Sequence, residues 1–384
     1  MNVVVVSDNL QVGGAHVYAV QLANSLSARG VDVTLAYGVH AENPLAERLT
    51  ADVRHLPLDL RPTLSMASKV NHVTNTFRAA RTIAGELRTR PGSVVHTLFA
   101  ASGLPAWIAA ARAGAPVVAT PMAMSVATNP LTKLLYRTRG LERLVTQHVT
   151  LSDYSRRDIV KAFGVAAERT ETVRLGVDTD RYRLLDATLA ERTQRLLGME
   201  EPGVRIWAGV VARLDAAKCV DLAVRAVSAS DPGVHLAIVG DGPERGSLQS
   251  LASDLGVSDR IHFLGRHLDV RPFVQAFDVY LQTTRGPNLG LSALEALASG
   301  VPLLIAARDA DEREMADDTV LGRGGTVAEA TPMALAAALN RLANASEDTR
   351  QHARHDARLL ATECYDWEVH VDGIIRTYGC LARR

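Results

Sequence analysis

The stretch "RIWAGVVARLDAAKCVDLAVRAVSASDPGVHLAIVGDG", Arg205–Gly242, decides the fold class of this chain. It opens with "RIWAGVVA", a short apolar run typical of a buried strand. The segment Cys219–Ser230 then has the pattern of a helix, and "VHLAIVG", Val234–Gly240, predicts a second strand. A strand, a helix and a strand in this order predict a βαβ unit, whose two strands are parallel.

The same alternation of strand and helix extends through the rest of the chain. In the amino-terminal half the predicted elements are, in order, Val3–Val6, Ala15–Arg29, Val31–Gly38, Asn71–Arg88, Ser93–Leu98, Leu104–Ala113, Pro116–Thr120, His148–Asp153 and Asp153–Phe163. After the quoted stretch they are Glu244–Leu255, Ile261–Gly265, Val270–Ala276, Val279–Thr283, Leu291–Ser299 and a closing strand, Val301–Ala306. The pattern predicts an α/β protein with two Rossmann-like, doubly wound parallel-sheet domains facing across a cleft.

Length and charge limit the domain organisation and the partners. A chain of 384 residues exceeds one ordinary domain, and the polar, Arg- and Glu-rich segment Arg181–Glu201 is the predicted linker. We therefore predict one domain over residues 1–180 and a second over residues 181–365. Lys plus Arg and Asp plus Glu both number 42, and this balance argues against nucleic acid as a partner.

Cysteine usage and the apolar segments point to the cytoplasm. Cys219, Cys364 and Cys380 show no CxxC spacing, which is typical of free thiols in a reducing compartment and argues against a metal site. The amino terminus, "MNVVVVSDN", lacks the pattern of a signal peptide. The most apolar window, Gly103–Thr120, is interrupted by Arg112 and Pro116, so we predict no stable membrane insertion.

Ligands of such folds bind at the carboxyl ends of the strands, and two motifs there carry candidate anion contacts. Gly13 and Gly14 lie between the first predicted strand and its helix, where backbone amides can receive an anion. The alternative is a plain tight turn, and the absence of GxGxxG argues against a nicotinamide-dependent oxidoreductase. Arg213 and Lys218 lie five residues apart after a later strand, where two cations can bind a diphosphate without a metal. The alternative for this pair is two solvated surface cations.

The motif "GPNLGLSALEALASG" combines a helix start with a carboxylate. Gly290, Leu291 and Ser292 form the predicted first turn, whose amides point outward. Glu295 lies one turn later and could accept hydrogen bonds from a ribose diol. The alternative is an ordinary carboxylate on the helix surface. The turn at Gly240 in "VGDGPERG" has modest value as a ligand contact.

These motifs resemble the motifs of the retaining glycosyltransferases of family 4, which have the GT-B fold, and they occur in the same order along the chain. The resemblance covers nearly the whole chain, through "RPGSVVHTL", "LSDYSRRDI", "LGVDTDRY", "ARLDAAKCVD", "VGDGPER", "FDVYLQTT" and "LGLSALEALASGVPLL". It implies a glycosyltransferase with a nucleoside-diphosphate sugar as co-substrate and no other cofactor or metal. Residues 1–180 would bind the acceptor and residues 181–365 the nucleotide-sugar. Residues 366–384 resemble the family's last helix, which crosses back to the first domain.

The resemblance also assigns roles to the candidate residues. Arg213 and Lys218 match the basic pair on the donor diphosphate, and Glu295 matches the second Glu of E-x7-E, which holds the ribose. The remaining predicted donor contacts are backbone groups, at Gly13, Gly14, Gly240, Gly265, Gly290, Leu291 and Ser292.

Several positions depart from the family pattern around the sugar. Pro287 replaces the first Glu of E-x7-E, and Leu98 replaces the second His of His-x-His, although His96 is present. Met122 stands where the next strand often ends near another His. Because fewer hydrogen-bonding groups suit a sugar with fewer hydroxyls, we predict a deoxy or modified donor sugar of the natural-product type.

The acceptor side is less specific, and other functions remain open. Asn9, His16 and Met122 are candidate contacts to a small-molecule or glycan acceptor, and His96 is a candidate catalytic residue. His16 could instead be an exposed first-turn histidine, and His96 a hydrogen-bonded histidine at a strand end. The alternatives to a transferase are a non-catalytic homologue that partners an active enzyme, and an epimerase or hydrolase of the same fold.

Overall fold

The computed structural model describes most of the chain, and its described residues form two compact units. These residues are 1–11, 13–39, 43–59, 66–98, 100–121, 142–184, 198, 203–285 and 290–382. One unit comprises Met1–Arg174 with Val369–Arg384, and the other comprises Leu175–Glu368. Met122, Pro287 and most of the predicted linker lie outside the described residues.

The first unit contains a seven-stranded parallel sheet with the order β3-β2-β1-β4-β5-β6-β7. Its strands are β1 (Asn2–Ser7), β2 (Asp32–Gly38), β3 (Arg54–Leu58), β4 (Val94–Thr97), β5 (Val117–Ala119), β6 (Gln147–Thr150) and β7 (Thr170–Thr172). Its helices are Gly14–Ala28, Met66–Thr89, Ala100–Ala113 and Asp153–Phe163. The last helix, Trp367–Ala382, also belongs to this unit from Val369 onward. The central strand β1 has four consecutive buried valines, the continuous apolar pattern of a strand covered on both faces.

The second unit contains a six-stranded parallel sheet with the order β10-β9-β8-β11-β12-β13. Its strands are β8 (Ile206–Val211), β9 (Val234–Val239), β10 (Ile261–Gly265), β11 (Val279–Gln282), β12 (Leu303–Ala307) and β13 (Gly325–Glu329). Its helices are Val220–Ser228, Arg245–Asp254, Arg271–Gln275, Leu291–Ala298, Ala310–Val320, Pro332–Ala343 and Glu347–Cys364. Both sheets confirm the predicted doubly wound, parallel α/β architecture.

The edge strands are where the sequence prediction was wrong. Val301–Ala306 does not close the second sheet, because β13 pairs in parallel with β12 beyond it. Strands β3 and β7 at the edges of the first sheet were also missed. The physical reason is that an edge strand has a partner on one side only and is less buried. β3, "RHLPL", includes exposed Arg and His and a proline, and β13, "GTVAE", is mostly half-buried, so neither has the apolar pattern of a central strand.

The strand order locates the ligand-binding edge of each sheet. The order reverses between β1 and β4 in the first unit and between β8 and β11 in the second. In open parallel sheets, ligands bind at the carboxyl ends of the strands that flank such a reversal. Gly13 and Gly14 follow β1, and Arg213 follows β8, so both candidate motifs lie at these points.

Two buried histidine–tyrosine pairs attach the last helix to the first unit. The Tyr18 hydroxyl lies 2.8 Å from His370 Nε2, and His370 Nδ1 lies 2.6 Å from the Arg174 carbonyl oxygen. Because a carbonyl can only accept, Nδ1 carries the proton and Nε2 accepts from Tyr18. The second pair joins His96 Nδ1 and the Tyr378 hydroxyl, at 2.5 Å. Each pair therefore connects residues that are far apart in sequence.

Candidate functional site

The loop after β8 carries the two candidate diphosphate cations. The Arg213 side chain is 75% exposed, and its Nε lies 3.9 Å from Asp215 Oδ2. Asp215 caps a 3-10 turn, Ala216–Lys218, by accepting a hydrogen bond from the Ala217 amide. Lys218 ends this turn and is half-buried. An exposed ion pair at 3.9 Å is weak, so the Arg213 guanidinium can turn to an anionic ligand at little cost.

Neighbouring strands hold the turn that carries Lys218. Thr283, directly after β11, donates its hydroxyl to the Lys218 carbonyl at 2.8 Å. The Arg285 amide donates to the Ala217 carbonyl at 3.0 Å. Arg308, after β12, in turn donates to the Thr283 carbonyl at 2.7 Å. The backbone at Lys218 is therefore fixed from the adjacent strand ends.

The loop after β9 packs directly on the loop after β8, and two glycines allow it. A Cβ built on Gly240, whose φ is 142°, would lie 1.8 Å from the Ala212 carbonyl oxygen. A Cβ on Gly242 would lie 2.3 Å from the Leu214 carbonyl oxygen. The Leu214 amide also donates to the Asp241 carbonyl at 3.0 Å. Gly240 thus sets the position of the loop that carries Arg213, and its direct contact with a donor stays a prediction.

Replacing Gly240 with alanine is expected to destabilise the protein by about 2–3 kcal/mol, because both the clash and the positive φ must be relieved by a backbone shift. Chemical denaturation followed by far-UV circular dichroism measures this. Gly246→Ala is the matched control, since Gly246 lies in a helix with nothing within 4 Å of its Cβ. Equal stability of the two variants would show that the loops are not in close contact.

The carboxyl end of β10 lies next to the loop after β9. Gly265 has a φ of 76°, in the left-handed region that favours glycine. Its carbonyl oxygen accepts a hydrogen bond from the Gly240 amide at 2.7 Å. Arg245 Nη1 lies 3.5 Å from Asp241 Oδ2 beside it. The predicted donor contacts Gly240 and Gly265 are therefore hydrogen-bonded to each other at adjacent strand ends.

The helix Leu291–Ala298 begins at Gly290, which supplies no capping side chain. Gly290 has φ 58° and ψ 164° and is exposed, whereas Leu291 and Ser292 are half-buried. The Ser292 hydroxyl lies 2.9 Å from the Tyr280 hydroxyl, so its side chain is held by the sheet. Such a helix start presents amides and the positive end of the helix dipole, both favourable to an anion.

Gly290→Ala is expected to weaken binding of a nucleoside diphosphate about tenfold or more, because this φ and ψ combination is essentially limited to glycine. Nothing lies within 4 Å of a Cβ at this position, so the effect comes from the backbone alone. Isothermal titration calorimetry with UDP, GDP and ADP measures it. Gly379→Ala, also with open space around the Cβ, is the control, and equal affinities would show that the helix start does not bind the ligand.

Glu295 lies in the second turn of the same helix, and its partner is Tyr182. The Tyr182 hydroxyl donates to Glu295 Oε1 at 2.8 Å. Burial raises the pKa of the Glu295 carboxyl above its usual value, and the hydrogen bond from Tyr182 opposes this rise. Sequence reasoning missed Tyr182, although it ends the motif "LGVDTDRY", because the predicted linker began at Arg181.

In the first unit, the loop after β1 holds the predicted acceptor contacts. Gly13 precedes the helix Gly14–Ala28, with a Cβ position 3.2 Å from His16 Nδ1. His16 is half-buried. Asn9 accepts a hydrogen bond from the Gln11 amide through its side chain at 2.9 Å, so this side chain shapes the loop. The acceptor roles of Asn9 and His16 stay predictions, and that of Met122 falls outside the described residues.

His96 is buried and hydrogen-bonded on both sides of its ring. Nδ1 faces the Tyr378 hydroxyl, and Nε2 lies 2.8 Å from Thr120 Oγ1. Burial, with a smaller effect of His370, lowers the pKa of His96 to about 3. Leu98 is buried as well. The geometry favours the hydrogen-bonded alternative over the catalytic one, because a ring enclosed in this way cannot touch a substrate unless the first unit rearranges.

Two aspartates at turns and helix starts have local structural roles. Asp178 accepts a hydrogen bond from the Arg181 amide, and Asp309 caps the helix Ala310–Val320. Within the described ranges, no three His, Cys, Asp or Glu side chains are grouped so that they could hold a metal ion. In the same part of the chain, no helix is long and apolar enough to cross a membrane. The three cysteines are free thiols.

Comparison with known proteins defines the class. Residues 12–181 match Glycosyltransferase Family 4, and residues 201–359 match Glycosyl transferases group 1. The chain therefore belongs to the group 1, family 4 glycosyltransferases and is a glycosyltransferase.

Similar curated proteins cover almost the whole chain. The D-inositol 3-phosphate glycosyltransferase of Geodermatophilus obscurus is 27% identical, over 96% of this chain and 85% of that protein. The protein of the same name from Thermomonospora curvata is also 27% identical, over 95% of this chain and 90% of its own length.

Solved structures confirm the two-domain GT-B fold class. A glycosyltransferase from Rickettsia africae superimposes with a TM-score of 0.81 at 15% identity, covering 100% of this chain and 99% of that one. Anabaena HepE in complex with UDP gives a TM-score of 0.81 at 18% identity, covering 99% of this chain and 100% of HepE.

Proposed function

We propose that the chain is a retaining, metal-independent glycosyltransferase that moves a sugar from a nucleoside-diphosphate sugar to an acceptor hydroxyl. The observation that carries the proposal is that the loop after β8 and the segment after β11 in the second unit are hydrogen-bonded to each other. The loop with Arg213 and Lys218 is hydrogen-bonded, through Thr283, to the end of β11, from which the chain runs towards Gly290. Two cations and a helix start at one sheet edge suit a diphosphate.

The proposed reaction uses these groups on the leaving diphosphate. The bond from the anomeric carbon to the diphosphate oxygen breaks as the bond to the acceptor oxygen forms on the same face. Arg213 and Lys218 balance the charge that develops on the diphosphate. The leaving-group oxygen takes the acceptor proton, so the step needs no protein base. This agrees with the enclosed position of His96.

In this proposal each of the two domains binds one of the two substrates. The donor domain corresponds to residues 181–365, where Glu295 and Tyr182 would face the ribose, and the acceptor domain to residues 1–180. The final segment, residues 366–384, would complete the acceptor domain. UDP is the first nucleotide to test because HepE binds it, and D-inositol 3-phosphate is the first acceptor because similar proteins use it.

The donor sugar in this proposal is deoxy or otherwise modified, of the natural-product type. The support is the chemistry of two positions, since Pro287 and Leu98 offer no side-chain hydrogen bond where the family pattern has Glu and His. A buried polar group without a partner costs binding, so a site without such groups favours a sugar without the matching hydroxyl.

The test is an assay of nucleotide release with a panel of UDP-, GDP-, ADP- and dTDP-sugars, including deoxy sugars, with and without acceptors and with EDTA. We expect release that depends on an acceptor, persists in EDTA and gives a product with the donor's anomeric configuration by NMR. Release without any acceptor would instead indicate a hydrolase, and conversion of the nucleotide-sugar to its epimer without nucleotide release would indicate an epimerase. Tight nucleotide binding without turnover would indicate the non-catalytic homologue, and a clear preference for a common hexose would overturn the modified sugar.

A further inference from the structure

Tyr182, which is buried, and Glu295, which is half-buried, form a hydrogen-bonded pair whose tyrosine has no role of its own in the reaction described above. Tyr182 is 6% exposed, and its hydroxyl donates to Glu295 Oε1 at 2.8 Å. Among the described residues, no other side chain or amide is hydrogen-bonded to the Glu295 carboxylate. The phenol therefore occupies Oε1, and none of the described groups is hydrogen-bonded to Oε2.

The backbone around Tyr182 is tied to the helix that carries Glu295. Arg358 Nη1 contacts three carbonyl oxygens, those of Thr179 at 2.9 Å, Tyr182 at 2.7 Å and Ala298 at 2.6 Å. Ala298 is the last residue of the helix Leu291–Ala298. One guanidinium therefore joins the segment that presents the phenol to the end of the helix that presents the carboxylate.

A second set of contacts fixes the same segment further upstream. The Val177 amide donates to the Tyr365 carbonyl at 2.7 Å, and the Trp367 amide donates to the Val177 carbonyl at 2.9 Å. The Thr179 hydroxyl donates to Asp366 Oδ2 at 2.5 Å. The backbone that carries Tyr182 is therefore held at Val177, at Thr179 and at Tyr182 itself.

We propose that Tyr182 is a positioning residue that orients the ionised Glu295 carboxylate, so that its second oxygen selects a ribose diol over deoxyribose. This inference rests on the proposed function, because it assumes a nucleoside diphosphate at this sheet edge. An ionised carboxylate can only accept hydrogen bonds, and a ribose hydroxyl can donate one. The phenol's donated bond favours the ionised form and fixes its rotamer, against the tendency of burial to neutralise it.

The experiment is calorimetric titration with UDP, GDP and ADP and with their 2′-deoxy forms, on the wild type and on Tyr182→Phe. For the nucleotide that binds, we expect the wild type to prefer the ribose form by about tenfold or more, the value of a hydrogen bond to a charged group. Tyr182→Phe should lose most of that preference, and its ribonucleotide affinity should fall further as the pH is lowered from 8 to 6. Glu295→Gln should lose the preference too, and the double variant should lose no more than Glu295→Gln alone.

Tyr365→Phe is the matched control for a purely structural effect. The Tyr365 hydroxyl is also buried in the second unit, and it donates to the Thr319 carbonyl at 2.8 Å. This variant should melt at a lower temperature and keep the wild-type preference for ribose. A Tyr182→Phe protein that keeps the full preference would overturn the inference and leave the proposed function standing. A wild type that binds none of the nucleotides would overturn both.

Discussion

Replacing Arg213 or Lys218 with alanine is expected to lower kcat by about 10²- to 10³-fold for each residue, which corresponds to removing one charge-stabilising donor from a transition state. Arg213, with its exposed guanidinium, and Lys218, whose backbone is fixed by Thr283, both lie in the loop after the carboxyl end of β8. Because they act on charge that develops as the diphosphate leaves, kcat should fall more than affinity for the donor.

Steady-state kinetics with the preferred donor, combined with titration of the free diphosphate, separates these effects. Arg225→Ala is the control, since Arg225 is an exposed cation near the end of the helix Val220–Ser228, well past the turn at Lys218. Turnover of Arg213→Ala within about threefold of the wild type would show that the guanidinium does not stabilise the leaving group.

Lowering the pH from 7 to 5 is expected to destabilise the first unit by about 2 kcal/mol for each of three buried histidines, by linkage between protonation and folding. Burial lowers the pKa of His96 to about 3, and those of His148 and His370 to about 4. In the unfolded chain these rings have a pKa near 6.5 and take up a proton below it. The unfolded state therefore binds more protons between about pH 6.5 and 4, and stability in this window falls as the pH falls.

Urea unfolding at pH 7 and pH 5 measures this loss. His370→Asn, whose amide can still donate to the Arg174 carbonyl, should be less stable at pH 7 but should lose about 2 kcal/mol less than the wild type on acidification. His355→Gln, at an exposed position on the helix Glu347–Cys364, should show the same loss as the wild type. Equal stability of the wild type at both pH values would mean that the buried rings titrate normally.

Central strands and strand-end residues were predictable from the sequence because their signals are local. Four valines in β1 identify a buried strand without knowledge of its neighbours, and Arg213 and Lys218 follow β8 directly. Tyr182 and Glu295, by contrast, are 113 positions apart, and His96 and Tyr378 are 282 positions apart. No local pattern reports such pairs. The pairing of His96 in particular favours its reading as a hydrogen-bonded strand-end histidine, and its catalytic role stays a prediction.

The division of the chain has a consequence for the order in which the protein is made. The chain leaves the first unit after Arg174, passes through all of Leu175–Glu368, and only then returns at Val369. Tyr18 and His96 cannot meet His370 and Tyr378 until the whole second unit has been synthesised. Domains usually complete folding in the order of their synthesis, whereas here the unit that is begun first is completed last.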